Sequence, residues 1–440
     1  MNQTSEVLKI HWLTGFIWLA VLASLFFIVY GWANTYSAGL PANEVNEFVY
    51  DWEQYIPFLP WTILPYWSID FLYGLSLFLP MTKYAQRQHA LRLLVATPIA
   101  AAFFYFYPLT FTAVRPESEG IWKMFFDALM GFDKPFNQSP SLHIILLVVL
   151  WQIYHPQFKR IGKILWNVWC FLIGISVLTT YQHHFIDIPA GFLVGVLICF
   201  IFPIEKEHQW SWNQTQVSTL SRIYMLAGIV FIPAAIFTSF WPALILLWLG
   251  TSLLIIGLGY RNLGPVVFQK DNNGAFSFAA RITHLPYRSF SRVIRHFFFK
   301  SYSKPQQITD KLYLGGYALH NQVACDAIFD VCSEYERVNY SMPHYVHYPL
   351  IDLVAPTTEE LRRGVEKLDA LLQDNKTVFI HCALGMSRSA ILVMAWMIYT
   401  KKVHSGSEAI HYFKDNNFKS TVSEKHLDVL QSYIETLNFV

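Results

Sequence analysis

The first 260 residues contain a series of apolar segments, most of them long enough to cross a lipid bilayer. A helix that spans the hydrocarbon core needs about 20 apolar residues, and it satisfies its backbone polar groups internally. We count eight such segments, at 10–32, 58–80, 91–114, 141–156, 163–181, 187–204, 222–240 and 242–260. The fourth and sixth segments are short and the last two share a tight junction, so seven is the alternative count. The pattern predicts an all-α polytopic membrane bundle of about eight transmembrane helices.

The composition is that of a membrane region joined to something soluble. Only 14% of the 440 residues are charged and 54% are hydrophobic, whereas soluble domains average about 25% charged. The five cysteines are odd in number and show no CxxC spacing, which argues against a disulfide framework or a zinc site. We predict no metal, no other cofactor and no nucleic-acid partner.

Charged residues in the loops between the segments predict the topology. The first loop carries only acids, whereas basic residues cluster in the second, fourth and sixth loops. Short basic loops stay in the cytoplasm. We therefore predict a multi-pass integral membrane protein of a bacterial-type inner membrane. Its first segment would be a retained anchor, and both termini would lie in the cytoplasm.

Residues 261–304 form a basic segment with eight Lys or Arg residues and a single acid, Asp271. Within it, Tyr287, Phe290, Ile294 and Phe297 recur at helical spacing, with arginines between them. A basic amphipathic helix next to a membrane span typically lies on an anionic membrane surface. A solvated linker is the alternative.

After residue 305, short apolar runs alternate with helix-like stretches, which is typical of a soluble α/β domain. The predicted organisation is therefore multi-domain. A membrane domain occupies 1–260, a basic juxtamembrane linker 261–304 and an α/β domain 305–440.

The stretch VFIHCALGMSRSAI, residues 378–391, has the pattern of a phosphate-binding loop between a strand and a helix. Backbone N–H groups and the helix N-terminus favour an anion there, and the same field favours the thiolate of Cys382, the predicted nucleophile. Arg388 would bind two phosphate oxygens, and Gly385 lets the backbone turn close to the phosphate. Asp352, at a strand-to-loop transition, is the predicted acid for the leaving oxygen. The other predicted substrate-binding residues of this loop are His381, Ser387 and Ser389.

Residues 305–440 resemble dual-specificity protein phosphatases through ITDKLYLGG, YPLID and HCALGMSRSA. The stretch IDLVAPTTEELRRGVEKL is most similar to the mitochondrial branch that dephosphorylates phosphatidylglycerophosphate. The resemblance implies a cysteinyl-phosphate mechanism without metal. Lipid-active members often carry extra basic residues within the loop, whereas Ala383, Leu384 and Met386 are apolar. This difference argues against a heavily charged inositol polyphosphate as substrate.

A second constellation of polar residues lies at segment ends that the topology places on the outer side. Its members are Arg115 in AVRP, Ser141 and His143 in PSLH, and His183, His184 and Asp187 in HHFID. Ionisable groups at a membrane boundary are functional candidates because they are costly to bury. A histidine can attack phosphorus, and a carboxylate can hold the attacking imidazole in the required tautomer.

These motifs resemble the membrane-bound type-2 phosphatidic acid phosphatase superfamily, and YIPFLPWTILPYWSID is typical of its branch near inositol-phosphorylceramide and sphingomyelin synthases. The resemblance implies that His183 is the nucleophile, Asp187 its orienting carboxylate and His143 the leaving-group acid. Arg115 and Ser141 would help to bind phosphate.

In the second constellation His184 is interpreted as a structural neighbour of the nucleophile. Two cations of the superfamily pattern are absent, since Pro108 and Val177 stand in their places. Lys123 or Lys134 could substitute for them, and the transferase branch tolerates such losses.

The predicted function is that of a bifunctional membrane phosphatase. A cytoplasmic cysteine site would act on phospholipid or phosphoprotein monoesters, and an outer histidine site would act on lipid phosphates. One alternative makes the membrane domain a lipid head-group transferase, similar to inositol-phosphorylceramide synthase. Another makes it a non-catalytic lipid-binding anchor for a protein phosphatase. Membrane phospholipids are the predicted partners, with phosphoproteins as the alternative, and the oligomeric state is left open.

Overall fold

The computed structural model describes residues 8–136, 138–212, 219–299, 304–338, 344–374 and 376–438. The chain divides into two units, Met1–Lys206 and Glu207–Val440. Both termini, which the sequence predicts to be cytoplasmic, lie outside the described residues.

The first unit is helical in its described residues. Its α-helices are α1 (Trp12–Ala38), α2 (Ile63–Ser76), α3 (Lys83–Phe106), α4 (Gly120–Phe132), α5 (Leu142–Tyr154), α6 (Arg160–Thr179) and α7 (Asp187–Ile201). Glycines on α7 let it pack closely against α5. A Cβ on Gly191 would lie 2.7 Å from the Ser141 carbonyl oxygen, and one on Gly195 would lie 2.9 Å from Val148 Cβ. The start of α5 therefore lies beside the start of α7.

The second unit opens with helical elements and continues into a sheet. The helical elements are α8 (Thr219–Ala234), α9 (Phe240–Leu258), a π-helical turn (Gly259–Leu263), a 3-10 turn (Gly264–Phe268), α10 (Phe278–Thr283) and α11 (Leu285–Phe299). Helices α8 and α9 form a hairpin, in which a Cβ on Gly228 would lie 2.7 Å from the Gly250 carbonyl oxygen. Helix α11 contains the predicted amphipathic segment, so the helical part of that prediction is confirmed.

Five strands and four helices form the α/β part of the second unit. They are β1 (Gln306–Thr309), β2 (Leu312–Gly316), β3 (Ala327–Cys332), β4 (His344–Leu350), α12 (Thr358–Gln373), β5 (Val378–Cys382), α13 (Arg388–Tyr399), α14 (Gly406–Asp415) and α15 (Glu424–Asn438). The sheet order is β1-β2-β5-β3-β4, and all pairs are parallel except β1 with β2. The predicted α/β fold is confirmed.

The sheet brings three loops together at one edge. Strand β5 lies at the centre of the sheet, and all five of its residues are buried. The carboxyl ends of parallel strands meet at the same edge, which is where ligands bind in such sheets. The segments that follow β3, β4 and β5 therefore converge there.

In the described residues, five helices are long and apolar enough to cross a membrane, where the sequence predicts eight. They are Trp12–Ala38, Lys83–Phe106, Arg160–Thr179, Thr219–Phe237 and Phe240–Phe268. The predicted segments at 58–80, 141–156 and 187–204 fold as the shorter helices α2, α5 and α7, of 14, 13 and 15 residues. Apolar residues of turns and helix caps lengthened these segments in the sequence count. For example, a 3-10 turn at Pro60–Thr62 precedes α2.

Candidate active sites

The phosphate-loop candidate joins the central strand to a buried helix. Strand β5 ends at Cys382, and α13 begins at Arg388, as the sequence predicts. The Cys382 side chain is 3% exposed, and its Sγ accepts hydrogen bonds from the Gly385 N–H at 3.2 Å and the Ser389 hydroxyl at 3.3 Å. Both bonds stabilise negative charge on sulfur, and the negatively charged thiolate is the form needed for nucleophilic attack.

Gly385 occupies a position that no other residue can take without displacing the loop. Its φ is +78°, in the left-handed region that favours glycine. A Cβ there would lie 2.3 Å from the Gly315 carbonyl carbon and 2.7 Å from the Gly316 nitrogen. The loop therefore lies directly on the end of β2, which supplies two glycines at the contact.

Arg388 is fully buried and held by two carboxylates. Its Nη1 and Nη2 donate to the two carboxylate oxygens of Glu334 at 2.8 and 2.6 Å, and Nη2 lies 3.0 Å from Asp352 Oδ1. The Leu350 carbonyl accepts a further bond at 3.1 Å. The buried Nε has no hydrogen-bond partner within the described part of the chain. An unpaired buried donor is costly, so this N–H marks a position for an anion.

Glu334 is a site residue that the sequence analysis missed. Burial alone would raise its pKa, but the Arg388 guanidinium outweighs burial and holds the pKa of Glu334 below its ordinary value. The signal was available, because SEYE directly follows the buried strand AIFDVC, and a polar residue there must reach the loop edge of the sheet.

Asp352 lies two residues beyond the end of β4 and contacts Arg388, so the predicted acid reaches the phosphate loop. Its side chain is 38% exposed. Burial raises the pKa of Asp352 and Glu334 raises it further, while Arg388 opposes both. A raised pKa favours the protonated carboxyl that a leaving oxygen requires.

His381 and Ser387 lie behind and beside the loop. His381 is buried on β5, with its Nε2 3.7 Å from Asp330 Oδ1, and burial lowers the pKa of His381. Asp330 also accepts hydrogen bonds from Lys270 Nζ and the Tyr345 hydroxyl, each at 2.6 Å. Ser387 precedes α13, and its carbonyl accepts a bond from the Ile391 N–H at 2.9 Å. The Lys270–Asp330 ion pair, which links the segment before α10 to the sheet, was also missed.

A cavity of about 320 Å³ in the first unit is lined in part by His183 and His184 of the histidine constellation, together with Tyr181. His183 Nδ1 lies 3.1 Å from Asp187 Oδ2. A carboxylate can only accept, so Nδ1 carries a proton, and in the neutral ring Nε2 then has the lone pair. This is the tautomer that nucleophilic attack by Nε2 requires.

His184 uses both ring nitrogens in contacts with the protein. Its Nδ1 donates to Glu53 Oε2 at 2.9 Å, and its Nε2 accepts from the Thr112 N–H at 3.2 Å. Burial would raise the pKa of Glu53, but hydrogen bonds from His184, Tyr50 and Phe185 lower it overall. His184 therefore joins three segments around the cavity.

The remaining predicted residues of this constellation also make internal contacts. Arg115 donates to the carbonyls of Thr180 and Tyr181 at 3.0 and 2.9 Å, which braces the chain just before His183. His143 stacks on Tyr66 and donates from Nε2 to the Tyr66 carbonyl at 3.2 Å.

The Ser141 N–H donates to the Asp187 carbonyl at 3.3 Å, which places the start of α5, with His143, beside the His183–Asp187 pair. Ser141 is fully buried and caps α5 by accepting from the Ile144 N–H at 3.4 Å. The structure thus brings His143, His183 and Asp187 into one neighbourhood.

Comparison with known proteins places the α/β part in a family. Residues 312–436 match the family described as dual specificity phosphatase, catalytic domain. The dual specificity protein phosphatase OPG106 of Vaccinia virus (strain Western Reserve) is 25% identical over 142 residues, covering 28% of this chain and 81% of the viral protein. Cyclin-dependent kinase inhibitor 3 of Sus scrofa is 26% identical over 99 residues, covering 20% of this chain and 47% of that protein. A solved structure of PTPMT1 in complex with PI(5)P has 18% identity and a TM-score of 0.28, and the match covers 31% of this chain and 97% of that one.

The C-terminal region is therefore a dual-specificity-type phosphatase domain, and the chain is a phosphoric monoester hydrolase. The first unit is helical, and several of its helices could cross a membrane.

Proposed function

We propose that this chain is an integral-membrane phosphatase whose C-terminal site removes phosphate from a phospholipid through a phosphocysteine intermediate. We further propose that the first unit carries a second, histidine-dependent site for lipid phosphate. Two features of one loop carry the C-terminal assignment: the buried Nε of Arg388 has no hydrogen-bond partner among the described residues, and the Cys382 Sγ already accepts two hydrogen bonds.

In the first step the Cys382 thiolate attacks phosphorus. The S–P bond forms while the P–O bond to the lipid alcohol breaks, and the electron pair leaves with the alcohol oxygen. Asp352 gives its carboxyl proton to that oxygen, so the alcohol departs neutral. Arg388 and the backbone N–H groups of the loop bind the remaining phosphate oxygens.

In the second step water attacks the phosphocysteine. The Asp352 carboxylate, now deprotonated, takes the proton from this water, and the S–P bond breaks with its electron pair returned to sulfur. The Gly385 N–H and the Ser389 hydroxyl, which already bond to Sγ, stabilise the thiolate that leaves. Inorganic phosphate is released and the enzyme is restored.

Helix α11 supports a phospholipid as substrate. Its residues Phe290, Val293, Ile294 and Phe297 form an apolar stripe at helical spacing, and Phe297 is 74% exposed. Arg292, between them in sequence, is also exposed. An exposed apolar stripe beside an exposed arginine suits an anionic lipid surface through both burial and charge.

The same helix adjoins the phosphatase loop. Ser291 Oγ lies 2.7 Å from the Tyr335 hydroxyl, and the Arg295 guanidinium lies 5.3 Å from the centre of the Tyr317 ring. The Tyr317 N–H in turn donates to the Ala383 carbonyl within the loop at 3.2 Å. A lipid surface bound to α11 would therefore bring its head groups near Cys382.

A phosphoprotein is the second candidate substrate for the cysteine site. The viral relative is named as a dual specificity protein phosphatase. The apolar Ala383, Leu384 and Met386 also leave the loop without a second cation for a highly charged head group.

For the first unit, the His183–Asp187 pair supports phosphohistidine chemistry, with His183 Nε2 as the attacking atom and His143 Nδ1 as the ring nitrogen left to exchange a proton. If water accepts the phosphoryl group the site is a phosphatase. If a lipid alcohol accepts it, the site is a transferase. Because the Arg115 guanidinium donates to protein carbonyls, a non-catalytic lipid-binding domain is the third possibility.

The full chain in proteoliposomes, supplied with phosphatidic acid, phosphatidylglycerophosphate or a phosphopeptide, tests the proposal. We expect lipid phosphate release to fall in Cys382→Ser and in His183→Ala, and to vanish only in the double variant. Cys325→Ser, a cysteine outside the loop, is the matched control and should behave as wild type. Release that depends on Cys382 alone would remove the second site. Release from the phosphopeptide alone would replace the lipid by a phosphoprotein.

A further inference from the structure

The loop that carries Asp352 packs against the end of the α8–α9 hairpin. A cluster of buried apolar residues forms where α9 ends, and we call it the hairpin cluster. Its members are Ile256, Tyr260, Leu263, Val267, Phe268 and Phe276. Ile351 and Val354, which flank the acid on either side, both pack against this cluster. The acid is therefore held between two anchors that bind the same surface.

The backbone between these anchors is strained. Leu353, next to Asp352, has a φ of +56°, a conformation that residues other than glycine rarely adopt, and its side chain is 68% exposed. Such a conformation persists only where its surroundings fix it, and strained residues of this kind gather at functional sites. The exposed Leu353 side chain makes little contact of its own, so packing of Ile351 and Val354 supplies the constraint.

Three tyrosine rings lie at the hairpin cluster on which the acid loop packs. The rings of Tyr224 on α8 and Tyr260 at the end of α9 lie 5.5 Å apart, and Tyr224 lies 6.0 Å from Tyr287 on α11. Tyr260 belongs to the hairpin cluster, and Tyr224 and Tyr287 pack against it as Ile351 and Val354 do. The carboxyl group thus lies near elements that precede the α/β part of the chain.

We propose that docking of the acid loop on the hairpin cluster positions the Asp352 carboxyl for proton donation, with Tyr260 as a positioning residue. The proposal rests on the proposed role of Asp352 as the general acid. It assigns to an apolar hairpin, outside the 312–436 match, a part in the chemistry of the phosphatase.

The dependence of rate on the leaving group isolates this role. A phenol leaving group, with a pKa of about 10 like tyrosine, needs a proton as the P–O bond breaks. A 4-nitrophenolate leaves readily without one. The value of kcat/KM reports the steps up to and including this first bond cleavage. The ratio of kcat/KM for phenyl phosphate to that for 4-nitrophenyl phosphate therefore measures proton donation.

The full chain is assayed in detergent micelles with both substrates. In Tyr260→Ala we expect kcat/KM to fall by about tenfold or more on phenyl phosphate and by less than about threefold on 4-nitrophenyl phosphate, since acid catalysis contributes about 10²–10⁴-fold in rate. Tyr260→Phe keeps the ring and should restore the ratio. Tyr433→Ala, a buried tyrosine on α15, is the matched control and should lower both rates equally.

Val354→Ala tests the same contact from the loop side, and it carries the test if Tyr260→Ala does not fold. Equal losses on both substrates in Val354→Ala would overturn the proposal. Asp352→Asn separates the acid role of Asp352 from the docking role of the hairpin cluster. If Asp352→Asn itself leaves the ratio unchanged, the acid assignment fails. If Asp352→Asn lowers the ratio but neither contact variant does, only the docking role fails.

Discussion

Gly385 has no room for a side chain, and this makes it a sharp probe of the loop. A Cβ would lie 2.3 Å from the Gly315 carbonyl carbon, which is backbone and cannot move aside cheaply. We expect Gly385→Ala to displace the N–H that bonds to Cys382 Sγ and to lower kcat about 100-fold or more, the scale of losing one oxyanion donor. Hydrolysis of 4-nitrophenyl phosphate measures this loss.

Gly406→Ala is the matched control, because its Cβ would meet only Leu427 and Leu430 at 3.4 Å. It should keep near wild-type activity. A Gly385→Ala variant with wild-type kcat would show that the loop does not need its observed backbone path.

Glu334 holds Arg388 through two bonds to one guanidinium. Removing one partner of a buried ion pair costs about 3–5 kcal/mol, and the low end applies here because Asp352 stays 3.0 Å from the Arg388 guanidinium. We expect Glu334→Gln, which keeps the shape but loses the charge, to lower the free energy of unfolding by about 3 kcal/mol and to lower kcat/KM by at least about tenfold. Denaturant unfolding and steady-state kinetics measure the two effects.

Asp374→Asn provides the comparison, since Asp374 pairs with Lys376 at the surface and is itself 67% exposed. Exposed pairs contribute about 0–1 kcal/mol, so this variant should change stability little. If the two variants lose stability equally, Arg388 does not depend on Glu334 in the way the geometry implies.

The raised pKa of Asp352 fixes the sign of a pH effect. Burial and Glu334 keep the carboxyl protonated to higher pH than an exposed aspartate, and proton donation requires this protonated form. Activity on phenyl phosphate should therefore fall as the pH rises through this raised pKa. In Asp352→Asn we expect this alkaline fall to disappear and the remaining rate to be low.

A pH profile of kcat/KM for the wild-type chain and for Asp352→Asn checks this prediction, with Asp415→Asn at the end of α14 as the control. If kcat/KM still falls at high pH in Asp352→Asn, a group other than Asp352 causes the fall.

At the level of single elements, helix α11 should distinguish lipid from soluble substrates. Phe290 and Phe297 are exposed apolar residues that make the helix suited to a lipid surface. We expect Phe290→Glu/Phe297→Glu to lower phosphate release from lipid vesicles by at least about tenfold, since burial of a phenylalanine contributes about 1.5–3 kcal/mol. Hydrolysis of 4-nitrophenyl phosphate should stay within about twofold of wild type, because neither side chain belongs to the phosphatase loop.

Tyr399→Glu at the far end of α13 introduces one glutamate in place of an exposed aromatic residue and should affect neither substrate. If the α11 variant released phosphate from lipid vesicles at the wild-type rate, α11 would have no role in access to the lipid substrate.

The elements that the sequence predicts well are those with strong local patterns. The strand, loop and helix at 378–399 were predictable because a buried run, a glycine and a helix pattern lie next to one another. Helix α4 was missed, since its apolar residues Phe126 and Leu129 pack on α2 and stand in a stretch that reads as a charged loop.

Contacts between distant segments left no local signal. Nothing near Ile351 or Val354 in sequence indicates that they pack against residues at 256–276. The Lys270–Asp330 pair likewise joins positions 60 residues apart. Such contacts depend on tertiary packing, which periodicity alone cannot show.

At the scale of the whole molecule, the division of the chain falls at Lys206–Glu207, before the α8–α9 hairpin. The change in composition, by contrast, predicts a boundary near 260. Composition follows solvent and lipid exposure, whereas a folding unit follows contacts, and the contacts of this hairpin are made with the segment that leads into the phosphatase. The hairpin therefore belongs to the phosphatase unit although its composition is that of a membrane segment.

This division predicts that residues 305–440 do not form a stable phosphatase alone. A 305–440 fragment lacks Lys270, which leaves Asp330 buried without its cation, and it exposes Ile351 and Val354. An uncompensated buried charge costs about 3–5 kcal/mol, a large share of the roughly 5–15 kcal/mol that stabilises a domain. We expect this fragment to have a lower Tm and lower kcat than a 207–440 fragment in the same detergent, as measured by circular dichroism and by hydrolysis of 4-nitrophenyl phosphate.

Lys270→Met within 207–440 should reproduce most of the loss in Tm, whereas Lys376→Met, at a surface pair with Asp374, should not. Equal Tm and kcat for the two fragments would place the boundary of the phosphatase at 305, because then neither the lysine nor the hairpin would contribute to its folding.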